Sequence, residues 1–299
     1  MTEPDRAGSG GALAAWAQVL RLPNLFTVPG DALAGLALAS DGLPGAAAWA
    51  AGGAVLLIYC GGLLINDYFD REEDARDRPD RPLPSGRVRP GHVLATGLAA
   101  LCAGAALAFA AGGVWPGVVA ALTAVVALAY DARLRRTRFG IWCMGACRAG
   151  SVLTGAAFAA TLPLTVWIAA LTALAYTAAL SGVARDETTG AAPGRPAYLP
   201  AAALVAGAAG MVIVQPAAWP ALCMAALAAA ESFYAARLAV QRSVAVPPTI
   251  GRLVRVMLWT QAAWFLWPMA AGGAAAVVML AAYVLRVGAE LAAREFYGS

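Results

Sequence analysis

The chain has 299 residues, of which 61% are hydrophobic and 13% are charged, whereas an ordinary soluble domain carries about 25% charged residues. This composition excludes a soluble globular protein and indicates an integral membrane protein. The net charge of +4 comes from 21 basic residues, all of them arginine, against 17 acidic ones. Such an excess fits an anionic lipid surface and gives no indication of nucleic acid.

Apolar runs long enough to cross a bilayer, which takes roughly 20 residues, recur along the chain. Connections that carry arginine alternate with connections that carry none, so the positive-inside rule places both termini on the cytoplasmic side. The sequence therefore predicts an all-α, polytopic transmembrane helical bundle of nine or ten spans in the inner or cytoplasmic membrane. The ten predicted segments are 14–39, 45–66, 92–111, 114–130, 141–160, 163–183, 199–214, 219–238, 250–267 and 269–286.

Two short tails flank the predicted membrane domain, which covers residues 14–287. Residues 1–13 lack the basic region and the apolar core of a signal peptide, so we expect a disordered N-terminal tail. Residues 288–299 are expected to form a cytoplasmic C-terminal tail.

The first segment contains two prolines, Pro23 and Pro29, which are expected to kink the helix or its entry. Asn24 and Asp31 are seven residues apart and therefore share a helix face. A carboxylate at membrane depth is costly and marks a candidate functional site. The alternative is a buried structural pair in which Arg148 of the fifth segment is the partner.

The stretch from Leu63 to Val88 places seven acidic residues at and beyond the end of the second segment. Asp67, Asp70 and Asp74 fall at i, i+3 and i+7, so they share one face if the helix continues this far. Magnesium takes oxygen ligands and usually shares one or two carboxylates with substrate phosphates. This face is therefore a candidate site for Mg²⁺ and a diphosphate. The alternative is a solvated loop of mixed charge, because five arginines lie in the same stretch.

Asn66 precedes these aspartates in the pattern N-D-x-x-D-x-x-x-D, and RPLPSGRV follows at positions 81–88. This combination resembles the first aspartate-rich motif of the UbiA superfamily of intramembrane prenyltransferases. The resemblance implies a helical bundle around a central cavity that opens to cytoplasmic acidic loops. It also implies Mg²⁺-dependent transfer of a prenyl group from an allylic polyprenyl diphosphate to an acceptor within the membrane.

A basic connection, YDARLRRT at positions 130–137, lies between the fourth and fifth segments. Its arginines alone are equally typical of a cytoplasmic loop that fixes topology. The stretch is similar, however, to the tyrosine-plus-basic loop that holds the diphosphate in this superfamily, with Tyr130, Arg135 and Thr137 at the matching positions. The planar fork of arginine suits bidentate phosphate recognition.

The sixth segment ends where the superfamily commonly carries a second motif, D-x-x-x-D. Here Asp186 and Glu187 are adjacent instead. The pattern formed by Arg185, Glu187 and Gly190 is more similar to that of the EboC-like branch of the superfamily. The chain resembles this branch most closely. Adjacent helical residues point about 100° apart. We therefore expect only one of the two acids to face the first motif, where it would hold a second metal ion.

The resemblance implies four groups of site residues. The predicted catalytic residues are Asp67, Asp70 and Asp74, and the predicted metal ligands are Asn66, Asp67, Asp70, Asp74, Asp186 and Glu187. The predicted diphosphate-binding residues are Tyr130, Arg135, Arg185 and Arg81, and the predicted acceptor-binding residues are Asn24, Asp31 and Arg148.

The acceptor is left open by the sequence. An aromatic acid, a quinone precursor, a glycerol phosphate, a porphyrin and a specialised metabolite are all compatible with it. The expected partners are a prenyl diphosphate donor, this acceptor and the lipid bilayer. Two other functions remain: a non-catalytic UbiA-like protein that binds an isoprenoid, and a transporter that uses its buried charges as a path.

Overall fold

The computed structural model describes residues 9–21, 25–40, 45–159, 161–187, 194–241, 246–269 and 273–296. Within these ranges the chain forms helices and no strand, which confirms the predicted all-α class. The helices are α1 (Ser9–Val19), α2 (Pro29–Ala39), α3 (Gly45–Asp77), α4 (Pro90–Gly112), α5 (Val114–Ala129), α6 (Gly140–Ala156), α7 (Leu164–Glu187), α8 (Leu199–Val214), α9 (Trp219–Val240), α10 (Val246–Leu266) and α11 (Gly273–Phe296).

Seven helical stretches of the described chain are long and apolar enough to cross a membrane. They correspond to α3, α4, α5, α7, α8, α9 and α11. Large apolar side chains on their outer faces, such as Trp115, Ile213 and Val277, are 74%, 84% and 67% exposed, as expected where lipid replaces water. The protein is therefore an integral membrane protein. The count of nine or ten spans stays a prediction, because α2 has 11 residues and α6 has 17.

In the described part of the first predicted segment, 14–39, α1 and α2 are separate helices. The helix α1 ends at Val19, and α2 begins at Pro29, where proline fits because the first helical position needs no backbone N–H donor. The interruption lies where prolines were expected to kink the segment. The helix α1 starts at Ser9 and α11 continues to Phe296, so helix extends beyond the predicted domain limits of 14 and 287.

The short helix α2 lies in the interior and packs against α3, α6 and α10. Its contact with α6 depends on two glycines, as in other membrane helix pairs that approach closely through small residues. A Cβ atom on Gly35 would collide with the carbonyl of Val152, and one on Gly155 would collide with the carbonyl of Ala32. The backbones of α2 and α6 therefore touch, and this contact fixes the depth at which Asp31 lies.

A small apolar cluster joins α1 to the end of α3 and to the loop that follows it. Ala15 and Val19 of α1 pack with Leu64 of α3 and with Leu83 and Val88 of the loop. Burying a side chain of this size stabilises the fold by about 1.5–3 kcal/mol. The cluster therefore holds Arg21 and Arg81, which lie just beyond its members, beside the acidic end of α3.

Candidate active site

The acidic motif lies on the last turns of α3, which continues unbroken to Asp77 and has 33 residues. At 1.5 Å per residue it is about 50 Å long, well over the hydrocarbon thickness of a bilayer, so its end projects into or beyond the headgroup region. Asp67 and Asp74 are each 7% exposed, and Asp70 is partly buried between them. The expectation that the helix continues through the motif and places the three aspartates on one face is confirmed.

Each of the three aspartates pairs with an arginine from a different part of the chain. Arg21, which follows α1, donates from Nη2 to Oδ1 of Asp67 over 2.8 Å. Arg81, in the loop after α3, donates from Nη1 to Oδ2 of Asp74 over 2.7 Å. Arg135 forms the ion pair with Asp70. A row of carboxylates therefore faces a row of guanidinium groups.

A second network crosses from α3 to the end of α5. The amide of Asn66 donates from Nδ2 to Oδ1 of Asp131 over 3.1 Å, and its oxygen accepts from Arg21 over 3.3 Å. Asp131 is buried and was not among the predicted site residues, although it belongs to the basic connection. Asn66 thus bridges two elements, and its role as a metal ligand stays a prediction.

The basic connection begins as one turn of π-helix, Tyr130–Leu134, a feature often found at functional sites. Beyond this turn Arg135 reaches Glu73 as well as Asp70, over 3.2 Å to Glu73, and Arg136 reaches Glu73 over 2.9 Å. Tyr130 lies close enough to Arg135 and Asp70 to interact with both electrostatically. The structure thus brings the basic connection and the acidic motif together.

Arg185, near the end of α7, donates to two backbone carbonyls of the basic connection. Its Nη2 lies 2.7 Å from the carbonyl oxygen of Arg135 and 2.8 Å from that of Thr137. These bonds hold the connection in place and bring the end of α7 beside the site. The described structure gives only the backbone of Asp186 and Glu187, so their predicted role in a second metal site stays a prediction.

The spacing of the acidic side chains limits how they could bind a metal ion. Among the side chains that the structure describes, no three histidine, cysteine, aspartate or glutamate residues lie close enough together to enclose one ion. Oδ1 of Asp70 is buried and lacks a hydrogen bond of good geometry, although it contacts Arg135 as an ion pair. These carboxylates are suited to a Mg²⁺ ion that one or two of them bind directly and whose coordination shell is completed by phosphate oxygens and water.

The predicted acceptor residues Asp31 and Arg148 form a separate, interior cluster. Nη1 of Arg148 lies 2.5 Å from Oδ2 of Asp31, and Nε2 of Gln261 lies 2.6 Å from Oδ1. Arg148 also donates to the carbonyl and the hydroxyl of Thr27. Asp31 has no exposed surface. The structural pair considered as the alternative is therefore present. An acceptor role for these residues stays a prediction, and Asn24 lies outside the described residues.

An apolar cavity of about 580 Å³ lies between α2, α10 and α11. Its walls include Phe26, Leu33, Leu258, Phe265 and Leu285. None of the residues of the acidic motif lines this cavity, so the expectation that a central cavity opens to the acidic loops stays a prediction. The volume lies in the range of small-molecule pockets, roughly 300–1,000 Å³.

A model of the UbiA prenyltransferase family matches residues 31–296. The chain belongs to this family. The match begins at Asp31 and covers the acidic motif, the basic connection and all helices from α3 to α11. The finer assignment to the EboC-like branch stays a prediction.

Individual relatives match over shorter stretches. The digeranylgeranylglyceryl phosphate synthase of Ignicoccus hospitalis is 36% identical over 129 residues, which are 43% of this chain and 42% of that protein. The synthase of the same name from Methanothrix thermoacetophila is 58% identical over 55 residues, which are 18% of this chain and 21% of that protein. The chain thus matches less than half the length of either relative.

Two solved structures share the fold. One, from work on a digeranylgeranylglyceryl phosphate synthase in membranes, has a TM-score of 0.66 at 18% identity and covers 87% of this chain and 99% of its own. The other is a UbiA homologue from Archaeoglobus fulgidus bound to DMAPP and Mg²⁺, with a TM-score of 0.51 at 13% identity, covering 93% and 98% of the two chains. At these identities the likeness establishes the fold.

Proposed function

We propose that this UbiA-family protein transfers a prenyl group from an allylic prenyl diphosphate to an acceptor within the membrane and releases pyrophosphate. The observation that carries the proposal is the row of Asp67, Asp70 and Asp74, each paired with its own arginine, at the end of a membrane helix. A transporter has no need of this arrangement. A Mg²⁺-diphosphate needs both carboxylates for the ion and cations for the phosphates.

Asp67, Asp70 and Asp74 would hold Mg²⁺, which supplies Lewis-acid stabilisation of the departing pyrophosphate when it is bound. The three carboxylates lie on one face of α3, and the ion would be bound directly by one or two of them, with phosphate oxygens and water completing its coordination shell. The fold neighbour from Archaeoglobus fulgidus, solved with DMAPP and Mg²⁺, supports the same assignment. The acids at the end of α7 remain the candidates for a second ion.

The arginines supply fixed positive charge where the leaving group becomes more negative. Arg21, Arg81 and Arg135 are paired with the aspartates, and a bound diphosphate would exchange some of these contacts for contacts with phosphate oxygens. Such fixed donors stabilise developing charge without reorganising during the reaction. Arg185 contributes indirectly by holding the segment that carries Arg135.

The acceptor that the relatives favour is a glyceryl phosphate lipid with a free hydroxyl group. Two relatives are named digeranylgeranylglyceryl phosphate synthases, and we give this class precedence over the aromatic acceptors. In the reaction the hydroxyl oxygen bonds to the first carbon of the prenyl group. The bond between that carbon and the diphosphate oxygen breaks, and the hydroxyl proton passes to the departing pyrophosphate. Apolar surroundings would protect the allylic cation from water.

The site is proposed to face the cytoplasm. Arginines concentrate in the connections on its side of the membrane, and the positive-inside rule assigns such connections to the cytoplasmic side. The N-terminus would lie on the same side, because α1 packs against the acidic end of α3.

The test is pyrophosphate release by the purified protein, supplied with prenyl diphosphates of increasing length and a prenylated glyceryl phosphate. We expect release that chelator removes and that Asp70→Asn abolishes. Asp77→Asn is the matched control, because Asp77 ends the same helix but is exposed and lies outside the motif. Equal release by the wild type and by Asp70→Asn would contradict the proposal.

A further inference from the structure

A second polar cluster lies among the C-terminal helices, apart from the proposed donor site. Glu231 of α9 accepts a hydrogen bond from Nε1 of Trp259 of α10 over 2.8 Å and forms an ion pair with Arg286 of α11. Arg286 also donates to Glu290 over 3.0 Å. We call these four residues, together with Arg255, the C-terminal cluster. None of them is required by the chemistry at α3.

Arg255 is the member of this cluster that lacks a partner. It is partly buried on α10, and within the described part of the chain it makes no hydrogen bond or ion pair, while its buried Nε has no acceptor. The charged group that acts on it most strongly is another cation, Arg286. Removing a charge from water is costly unless the charge is paired. Among the side chains that the structure describes, no anion is therefore paired with Arg255.

The charges of the surrounding side chains lead to the same conclusion. The described charged groups that interact electrostatically with Arg255 are two arginines, Arg286 and Arg252, and two glutamates, Glu231 and Glu290. Both glutamates already contact Arg286. The cluster itself carries two positive and two negative charges, and the neighbouring Arg252 adds a third positive charge. One further negative charge would balance the cluster together with Arg252.

The cluster adjoins the apolar cavity. Arg255 precedes Leu258 by three residues on α10, and Arg286 follows Ala282 by four residues on α11, so each arginine lies one turn from a cavity-lining residue on its own helix. Both Leu258 and Ala282 line the cavity. A ligand at this position would have an anionic head beside Arg255 and an apolar tail among the cavity walls.

We propose that Arg255, supported by Arg286, binds the phosphate group of a lipid whose chain occupies the apolar cavity. Guanidinium groups bind phosphate through paired hydrogen bonds. Two sources offer this chemistry, a glyceryl phosphate acceptor and an anionic membrane phospholipid. The first source rests on the function proposed above. It would keep the phosphate of the acceptor away from the donor diphosphate, which carries charge of the same sign.

The experiment measures thermal stabilisation of the purified protein in detergent by four lipids. These are geranylgeranylglyceryl phosphate, geranylgeranylglycerol, phosphatidylglycerol and phosphatidylcholine. The variants are Arg255→Gln, Arg255→Lys and the control Arg237→Gln, which removes an exposed arginine near the end of α9. Because Arg255 has no partner to lose, Arg255→Gln is expected to fold. Arg255→Lys keeps the charge and serves as the second variant.

We expect Arg255→Gln to weaken binding of the phosphate lipid by about tenfold or more, the size of a hydrogen bond to a charged group. Binding to Arg237→Gln should equal that of the wild type, and Arg255→Lys should recover part of the loss. Stabilisation by geranylgeranylglyceryl phosphate but not by geranylgeranylglycerol would show that the phosphate is bound, and the absence of Arg255-dependent stabilisation by phosphatidylglycerol would then identify the acceptor as the source. Arg255-dependent stabilisation by phosphatidylglycerol alone would identify a membrane lipid.

Equal binding of every phosphate lipid by the wild type and by Arg255→Gln would overturn the proposal. This outcome is separable from failure of the proposed function, which is measured by pyrophosphate release and by its dependence on Asp70. If release occurs but Arg255→Gln binds normally, only the lipid site is wrong. If release never occurs but phosphate lipids bind through Arg255, only the proposed function is wrong.

Discussion

Aspartate–arginine pairs occur in two regions of this protein, and their surroundings differ. Asp31 and Arg148 meet in the interior, where Gln261 and Thr27 complete the hydrogen bonds and Asp31 has no exposed surface. At the end of α3 the paired arginines keep 23–31% of their side chains exposed. The interior pair joins three helices, whereas the pairs at α3 remain within reach of a ligand.

The difference shows that residue type alone does not separate a structural ion pair from a binding site. In a buried pair each charge is compensated by the other, and removing one partner leaves an uncompensated charge. The pairs at α3 should cost less to open than the interior pair, because their arginines remain in contact with solvent while only the carboxylates are buried. The interior pair should therefore govern stability, and the pairs at α3 should govern activity.

The largest effect on stability is expected for Arg148→Gln. It leaves the carboxylate of Asp31 buried without its cation, so the free energy of unfolding should fall by about 3–5 kcal/mol. Thermal or denaturant unfolding in detergent measures the change. The double variant with Asp31→Asn should lose less than the sum of the two single variants, because the two residues interact. Additive losses would contradict the pairing.

Arg135→Gln should affect activity instead. We expect pyrophosphate release to fall by about 10²–10³-fold, the usual consequence of removing a donor that stabilises transition-state charge. Stability should change little. Arg133→Gln is the matched control, because Arg133 lies two residues before Arg135 in the adjoining π-helical turn but is exposed. A large loss of stability with unchanged turnover would show that Arg135 has a structural role like that of Arg148. It would contradict the proposed difference between the interior pair and the pairs at α3.

A smaller effect is expected for Arg185→Gln, since Arg185 acts through the position of the basic connection. Loss of its bonds to the carbonyls of Arg135 and Thr137 should raise the KM for the donor by about tenfold. The KM for the acceptor should stay the same. Partial recovery of the donor KM with Arg185→Lys would support a positioning role. An unchanged KM for both donor and acceptor in Arg185→Gln would show that Arg185 has no such role.

The smallest effect is expected for Arg136→Gln. Arg136 pairs with Glu73, and the two side chains are 74% and 46% exposed, so the pair should contribute about 0–1 kcal/mol to stability. Pyrophosphate release should also stay near that of the wild type. A loss comparable to that of Arg135→Gln would show that exposure does not separate the two kinds of pair.

The local part of the site could be predicted from the sequence. Asp67, Asp70 and Asp74 share a face because helical periodicity fixes positions i, i+3 and i+7, and the interruption before Pro29 lies where prolines were expected to disturb the helix. Both features depend on neighbours along the chain.

The partners of these residues could not be predicted in the same way. Arg21 lies 46 residues before Asp67, and Asp131 lies 65 residues after Asn66, so tertiary packing alone brings them together. The sequence likewise gave Glu231 no role, because Trp259 and Arg286 reach it from two later helices. Charged residues within spans were recognisable as important, but whether a given one is structural depends on contacts that no local pattern contains.

The most direct measurement is the binding of geranylgeranyl thiolodiphosphate, a donor analogue that resists ionisation, to the wild type, Asp70→Asn and Asp77→Asn. Binding is measured with Mg²⁺ and with chelator. The end of α3 is predicted to bind the analogue only with Mg²⁺, with an affinity that Asp70→Asn lowers by about tenfold or more and that Asp77→Asn leaves unchanged. Binding that depends on neither Mg²⁺ nor Asp70 would show that the diphosphate site lies elsewhere in the protein.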